Sequence, residues 1–388
     1  MVAGRVLVLN AGSSSLKASL IALPHTTLAR VEVGWGADAS RHGDRAEGIA
    51  EALAALERET TGSSGAADGD GLSAVRVVGH RVVHGGDRFT KTTPIDVDVL
   101  AGIEGVSELA PLHNRVALET IEVARSRLPH VAHVACFDTA FHATLEPAAY
   151  RYPVPEGWYA EWGVRRYGFH GLSVAWSVRR AGELLGRDAD DLSLVVAHLG
   201  SGCSVTAVLG GRSVDTSMGL TPLEGLMMGT RSGSIEPGVP LRLMERGHLT
   251  PTEVADALDH RSGLLGVSGL SADMRALSEA AIHGDERARL AIAMFVRRAA
   301  AGIAAVATSL PRLDAVVFTG GIGENAPAVR AAIVERLGGL GLSPFPWDGP
   351  STPTADRRVG SPDDPVAVLR IEAREDLVIA AEALALLG

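Results

Sequence analysis

A short apolar strand, a glycine/serine turn and a returning strand occur twice in this chain, and that repetition constrains the fold more than any other feature. The first copy runs Arg5 to Leu9, turns through Asn10-Ala-Gly-Ser-Ser-Ser15 and returns from Leu16 to Ile21. The second runs Leu192 to Leu199, turns through Gly200-Ser-Gly-Cys-Ser204 and returns from Val205 to Leu209. A second turn at Gly210-Gly211 then leads into a third strand through Val214. A fold duplicated in this way places two glycine-rich hairpins across a cleft from each other. Two unrelated hairpins in an ordinary α/β protein give the same pattern. At 388 residues the chain exceeds one ordinary core, and with 46% hydrophobic residues it has apolar material for two.

Between and after the two hairpins, strands alternate with helices, which implies an α/β class. Apolar spacing at Ile49, Leu53 and Leu56 predicts a helix from Ala46 to Arg58, and the Gly/Ser/Asp-rich stretch Thr60 to Gly71 reads as an exposed loop. Val75 to Val83 is β-rich and runs into His84-Gly85-Gly86-Asp87. A shift to Pro, Trp and Tyr over Tyr150 to Trp162 marks the expected domain junction. This gives domains at 1–150, completed by the terminal helix 376–388, and at 151–375. Late in the chain Asp314 to Thr319 reads as a buried strand, Gly320 to Asn325 as a turn and Ala326 to Leu337 as a helix. Asp376 to Leu387 closes the chain as a helix.

Net charge is −10 with no Lys/Arg tract, which argues against nucleic acid as the main partner, because backbone phosphates need a concentrated basic face. The two cysteines, Cys136 and Cys203, form neither a CxxC pair nor a disulfide framework, which fits a reducing cytoplasm. The apolar run Val6 to Leu9 is too short for a signal-peptide core. Leu290 to Leu310 carries Arg297 and Arg298 at its middle and is expected as a buried or interface helix, not a membrane span.

Glycine and serine at a strand-to-strand turn expose N–H groups and hydroxyls that wrap phosphate oxygens. Asn10 to Lys17 offers this, with Ser15 in the turn and Lys17 as a nearby cation, and it is not a P-loop. The turn Gly200 to Ser204, preceded by His198, offers it again. Gly321-x-Gly323-x-x-Ala326 follows a strand and opens a helix, yet it lies late and lacks the acid ~20 residues on that a dinucleotide fold requires. A nucleoside seated on bare backbone is the better reading. Arg81 and Arg231 stand in glycine-bounded segments, and planar guanidinium groups grip phosphoryl oxygens bidentately. Asp138, Asp273 and Glu375 are carboxylates near these pieces, and Mg²⁺ needs only one or two. Glu375 alone is equally a helix-dipole acid. His113, His133 and His142 lack a compact ligand spacing and read as core or substrate-orienting histidines.

Taken together, these segments resemble the acetate kinase (acetokinase) family of the sugar-kinase, heat-shock and actin-like superfamily. The resemblance runs in order through VLVLNAGSSSLK, GHRVVHGGDRFT, APLHN, CFDTAFH, RRYGFHGLS, VVAHLGSGCSV, TPLEGLMMGTRSG, SADMR, VFTGGIGEN and REDLVIA. It implies two duplicated actin-like (ribonuclease H-like) α/β domains, an interdomain active-site cleft, a homodimer and cytoplasmic location. The implied reaction is ATP plus acetate to ADP plus acetyl phosphate, by direct in-line transfer with Mg²⁺, or Mn²⁺ in its place.

Carried over to this chain, the resemblance makes Asn10, Arg81, Asp138, His170 and Arg231 the catalytic group. It makes Asn10 and Glu375 the metal holders, with Asp138 helping to organise the ion. Ser15 and Lys17 line the first phosphate turn. His198, Leu199, Gly200, Ser201 and Gly202 form the second. Asp273, Met274, Arg275, Gly321, Ile322, Gly323, Glu324 and Asn325 surround the nucleotide. Val83, Leu112, Phe169 and Pro222 make the methyl pocket, with His113 and Arg81 at the substrate. Three positions depart from the family pattern: Ser201 stands for Asn, Ser234 for Asp and Met274 for Phe. A propionate kinase, and a non-catalytic nucleotide-binding regulator on the same fold, are the alternatives.

Overall fold

The computed structural model describes residues 4–12, 15–22, 26–34, 42–62, 71–345 and 355–387. It parts into two compact units, Met1–Phe141 with Arg374–Gly388, and His142–Ala373.

In the first unit six strands form one sheet: β1 (Arg5–Ala11), β2 (Ser15–Ala22), β3 (Thr26–Gly34), β4 (Val75–Val82), β5 (Thr93–Pro94) and β6 (Ala132–Phe137). Their order is β3-β2-β1-β4-β6-β5. The β1–β2–β3 meander is antiparallel, β1, β4 and β6 run parallel, and β5 returns antiparallel on β6. In the second unit the strands are β7 (Ser193–Leu199), β8 (Cys203–Leu209), β9 (Arg212–Thr216), β10 (Ala315–Thr319), β11 (Arg357–Arg358) and β12 (Ala367–Arg370), ordered β11-β12-β10-β7-β8-β9. Read from β9, this repeats the first sheet strand for strand, orientations included. The two hairpins are therefore equivalent pieces of a duplicated fold.

The parallel strands are apolar on both faces because helices cover both. In unit 1 the helix His42–Gly62 buries Ile49, Leu53 and Leu56 in one core with Leu7, Leu9 and Leu20. The C-terminal helix Glu375–Ala385 lies close over β4, which Gly79 permits. A Cβ on Gly79 would stand 2.4 Å from Ile379 Cγ2. In unit 2, β7 and β10 pack beneath Gly171–Leu185, and β7 and β8 beneath Glu286–Ala307. By length and composition Glu286–Ala307 could cross a membrane, yet Phe295, Val296, Ile303 and Val306 are buried within unit 2.

Several expected boundaries move. The helix expected at 46–58 extends to His42 and Gly62, which shortens the expected loop, and residues 63–70 lie outside the described set. Gly320–Asn325, expected as a turn, is a short helix, because Asn325 Nδ2 donates to the Gly321 carbonyl (2.9 Å) and the Glu324 carboxylate takes the Gly320 N–H. The junction expected at 150/151 lies at 141/142, and that expected at 375/376 lies at 373/374. The Pro/Trp/Tyr segment belongs to unit 2 because it folds back on its own continuation. Arg166 N donates to the Tyr150 carbonyl (2.8 Å), and the Arg165 guanidinium lies 3.7 Å from the Tyr150 ring centre.

Candidate active site

Each unit gathers polar groups at the ends of its central strands, and the two clusters differ in charge. In unit 1, Arg81 follows Gly79 by two residues and so shares its face of β4, the face under the C-terminal helix. The Arg81 guanidinium donates twice to Asp138, Nε to Oδ1 at 3.1 Å and Nη2 to Oδ2 at 2.6 Å. Asp138 is fully buried one residue past β6, where its own N–H donates to the Val82 carbonyl (3.0 Å). Arg81 Nη1 donates to Asn10 Oδ1 (3.1 Å), and Asn10 Nδ2 donates to Glu375 Oε2 (2.7 Å). Glu375 Oε2 stands 3.7 Å from Arg81 Nε. Burial works against the Arg81 charge, but the Asp138 and Glu375 carboxylates outweigh it and hold the guanidinium above its ordinary pKa. One cation and two carboxylates leave this cluster with a formal charge of −1. The neighbouring Asp376 is spoken for by Arg30 (2.7 Å) and Arg374 (2.9 Å), so the two acids opening this helix face different partners.

The remaining expected groups of unit 1 surround this cluster. Lys17 is exposed on β2 opposite Asn10, and the Ser15 hydroxyl donates to Glu32 (2.9 Å) on β3. Ser13 and Ser14 of that turn, and the side chain of Leu112, lie outside the described residues. Val83 is buried, and His113 is half-buried on the first turn of Pro111–Arg127. Two residues not singled out from sequence clamp the loop beyond Arg81. Asn114 accepts from His84 N–H (3.0 Å) and donates to its carbonyl (2.9 Å), while the Thr139 hydroxyl accepts from Gly85 N–H (3.0 Å).

Unit 2 presents cationic and neutral donors on bare backbone. The turn after β7 is closed by Gly200 N–H donating to the Gly202 carbonyl (3.0 Å). A Cβ placed on Gly202 would meet Arg231 Nη2 and His170 Nε2, each at 3.2 Å. A side chain there would fill the space these donors face. Arg231 Nη1 donates to the Pro222 carbonyl (2.5 Å), and Arg231 makes no ion pair among the described residues. Burial depresses its pKa, with Cys203 and Asp259 opposing. Its loop is tied down by Gly229 N–H on the Ser201 carbonyl (3.2 Å), Thr230 Oγ1 on the Asp259 carbonyl (2.8 Å) and Ser262 N–H on the Thr230 carbonyl (2.8 Å). Ser234, one of the departures, accepts from Gly225 N–H (3.0 Å) and so keeps the loop closed with a shorter side chain.

His170 caps the helix Gly171–Leu185 in the left-handed region, at φ 59°, which is uncommon without glycine. Its ring stacks on His198 at 4.1 Å between centres. Phe169 is buried beside it, and Pro222 is half-buried. The expected methyl-pocket residues thus divide between the units, Val83 and Leu112 in the first, Phe169 and Pro222 in the second.

At the nucleotide segment Gly321 has open space where a side chain would stand, and its N–H lies 3.6 Å from where a Cβ on Gly200 would be. Ile322 is half-buried, Gly323 is buried and Asn325 is exposed. Glu324 turns inward: Oε1 accepts from Gly320 N–H and Ala373 N–H, both at 2.9 Å, and Oε2 stands 3.6 Å from Arg370. Buried Arg330, missed from sequence, donates to the Gly323 (2.8 Å) and Glu324 (2.9 Å) carbonyls. Asp273 is the N-cap of Met274–Ile282, accepting from Arg275 N–H (2.7 Å) and Ala276 N–H (3.2 Å), which lowers its pKa. Met274 is buried and the Arg275 side chain is exposed. Among the described residues no cluster of three or more His, Cys, Asp or Glu stands ready for a metal.

The sequence profile of the Acetokinase family matches residues 5–381. An acetate kinase of Deinococcus radiodurans is 47% identical over 98% of this chain and 98% of its own length. A propionate kinase of Salmonella typhimurium is 46% identical over 87% of this chain and 85% of its own. The crystal structure of Porphyromonas gingivalis acetate kinase superposes with a TM-score of 0.86 at 33% identity, covering all of both chains.

Proposed function

Because this chain belongs to the acetokinase family, we propose that it moves the γ-phosphoryl group of ATP onto acetate, reversibly, giving acetyl phosphate and ADP. The observation that carries this reading is the convergence of Arg231 Nη2 and His170 Nε2 on the bare Gly202 turn. Two fixed polar groups beside exposed backbone N–H groups suit the equatorial oxygens of a phosphoryl group in transfer. Acetate is already ionised at neutral pH, so its oxygen attacks phosphorus with no protein nucleophile and no general base. What the chain supplies is position and charge.

The roles divide by unit. Arg231 and His170 neutralise and orient the transferring phosphoryl group, and Gly200 to Gly202 and Gly321 receive the remaining phosphates and the nucleoside. Arg81, held flat by Asp138, binds the acyl oxygen. Asn10, Asp138 and Glu375 fit a hard divalent cation, since two carboxylates and an amide leave the rest of its shell to water and phosphate. Asn10 and Glu375 would hold that ion, Mg²⁺ or Mn²⁺, and when bound it neutralises the β- and γ-phosphate oxygens. Val83, Leu112, Phe169 and Pro222 would border the methyl group. The proposed partner is a second copy of this chain, since the helix Gly238–Arg246 buries no residue while Val239, Leu241 and Leu243 stand exposed on it. Small soluble substrates suit a cytoplasmic setting.

Propionate is the second acceptor to weigh, because the Salmonella propionate kinase is nearly as similar. One methylene separates the two acids by only ~1–3 kcal/mol. Hydroxylamine trapping of acyl phosphate decides the matter, run with ATP and Mg²⁺ against acetate, propionate and butyrate. The highest kcat/KM is expected for acetate. Acyl hydroxamate from propionate alone would move the assignment to propionate, and none from any acid would end it.

A further inference from the structure

Unit 2 contains three histidines that each meet a serine hydroxyl through Nδ1. His142 Nδ1 lies 2.9 Å from Ser213 Oγ, His170 Nδ1 3.0 Å from Ser204 Oγ, and His198 Nδ1 2.8 Å from Ser173 Oγ. All three serines are fully buried. In the first pair the tautomer is dictated. His142 Nε2 lies 3.0 Å from the Phe169 carbonyl, which can only accept, so Nε2 carries the proton. A neutral ring protonated at Nε2 accepts at Nδ1, so Ser213 must donate.

The other two pairs repeat the arrangement with Nε2 turned toward the glycine turns. His170 Nε2 is 3.2 Å from where a Cβ on Gly202 would be, and His198 Nε2 is 3.1 Å from the same point on Gly320. Several charges bear on these rings. Arg231 Nη2 converges with His170 on Gly202, and Cys203 and Asp259 act on Arg231. The His170 and His198 rings stack at 4.1 Å with 16° between their planes, so a charge on one opposes a charge on the other. From the Gly320 side Glu324 is turned away toward Ala373 and Arg370. Two stacked rings beside an arginine without a carboxylate partner among the described residues disfavour an imidazolium at either position.

We propose that Ser204 and Ser173 are positioning residues that donate to His170 and His198 and lock both rings as neutral Nε2–H donors toward phosphate. This rests on the reading of His170 and the Gly200 turn given above. Each ring then offers a hydrogen bond to phosphate without first taking up a proton, and Arg231 remains the sole cation at that turn. Ser204 serves the ring at the transferring group, and Ser173 serves the ring between the Gly200 and Gly320 turns. Without Ser204, His170 is free to carry its proton on Nδ1 and presents a lone pair to the phosphoryl oxygens. Only protonation restores a donor there.

The test has two arms on the full chain. Long-range ¹H–¹⁵N spectra, assigned with His170→Gln and His198→Gln, should show unprotonated Nδ1 and protonated Nε2 for both rings in the free protein. Ser204→Ala should then show mixed tautomers at His170 only. In the kinetic arm, Ser204→Ala should lower kcat roughly tenfold at pH 8, with the loss shrinking as pH falls and the ring takes up a proton, and with both KM values little changed. Ser204→Thr, which keeps a hydroxyl, should recover the flat profile, and Ser173→Ala should act on the ATP KM. Protonated Nδ1 in the wild-type rings, or a Ser204→Ala loss equal at every pH, overturns the proposal. The spectra need no turnover, so absent kinase activity would sink the functional reading and leave the tautomer lock standing or falling by itself.

Discussion

Arg81 on β4 of unit 1 and Arg231 in the loop after β9 of unit 2 sit in opposite electrostatic surroundings. Arg81 in unit 1 is gripped by Asp138 and faces Glu375, so its cluster carries an excess of negative charge. Arg231 in unit 2 is anchored through the Pro222 carbonyl and has no ion-pair partner among the described residues, and burial lowers its pKa. The duplicated sheets thus carry their arginines at non-equivalent places, one on a central strand and one on a long loop, with opposite electrostatic settings. One suits a cation, the other an anion.

Replacing each arginine by alanine should separate them, and this is the largest effect expected. Arg231→Ala removes a preorganised donor and should lower kcat by roughly 10²–10³, with melting temperature unchanged or slightly raised, because a buried cation without a carboxylate partner is lost. Arg81→Ala should lower kcat comparably and also destabilise unit 1 by about 3–5 kcal/mol, since buried Asp138 is left without this guanidinium. Equal melting temperatures for the two variants would break the comparison.

Acid should weaken both units through histidines that are held neutral. In unit 2, burial pushes His142 down to about 4, against the hydrogen bond to the Phe169 carbonyl. In unit 1, burial also lowers the pKa of stacked His80 and His133, whose ring nitrogens meet at 3.0 Å. Each group binds its proton more weakly folded than unfolded. Stability is therefore full above about pH 6.5 and is lost as pH falls toward 4, by roughly 3 kcal/mol for His142 alone. Thermal melts between pH 7 and 4 check this, and His142→Gln should flatten the unit 2 part of the fall. A melting temperature independent of pH across that range would contradict it.

The smallest effect sharpens the anion side. Ser201 is exposed in the Gly200 turn, and its carbonyl holds Gly229. Ser201→Asn should therefore alter the ATP KM modestly and leave the acetate KM alone. An acetate effect without an ATP effect would remove this turn from the nucleotide.

The sequence carried the outline of this arrangement well. Apolar runs bounded by glycine turns located β1, β2, β4, β7, β8, β9 and β10, while β3, β5, β6, β11 and β12 were not singled out, and the glycine-bounded segments drew attention to Arg81 and Arg231. The repeated hairpin anticipated the duplication that the matching strand orders display. What sequence did not disclose are single buried polar groups. Asn114, Thr139, Ser173 and Ser204 lie within segments that the sequence motifs pick out, but a lone amide or hydroxyl has no period that announces its partner, and Arg330 lies in a helix with no such signal. Asp273 is different. An acid directly ahead of Met-Arg-Ala-Leu is a helix N-cap signal, so its capping role was readable alongside the nucleotide role assigned to it. Glu324 had no such warning. Its inward turn toward Ala373 depends on a strand end 49 residues later.

The division of charge between the units is tested most directly by the Mg²⁺ dependence of the ATP dissociation constant, measured by calorimetry on Glu375→Gln and Arg231→Ala. Glu375→Gln should lose most of the tightening that Mg²⁺ gives the wild type, while Arg231→Ala should bind ATP more weakly at every Mg²⁺ concentration and keep the tightening. The reverse pattern, with Mg²⁺ dependence intact in Glu375→Gln and abolished in Arg231→Ala, would contradict the account.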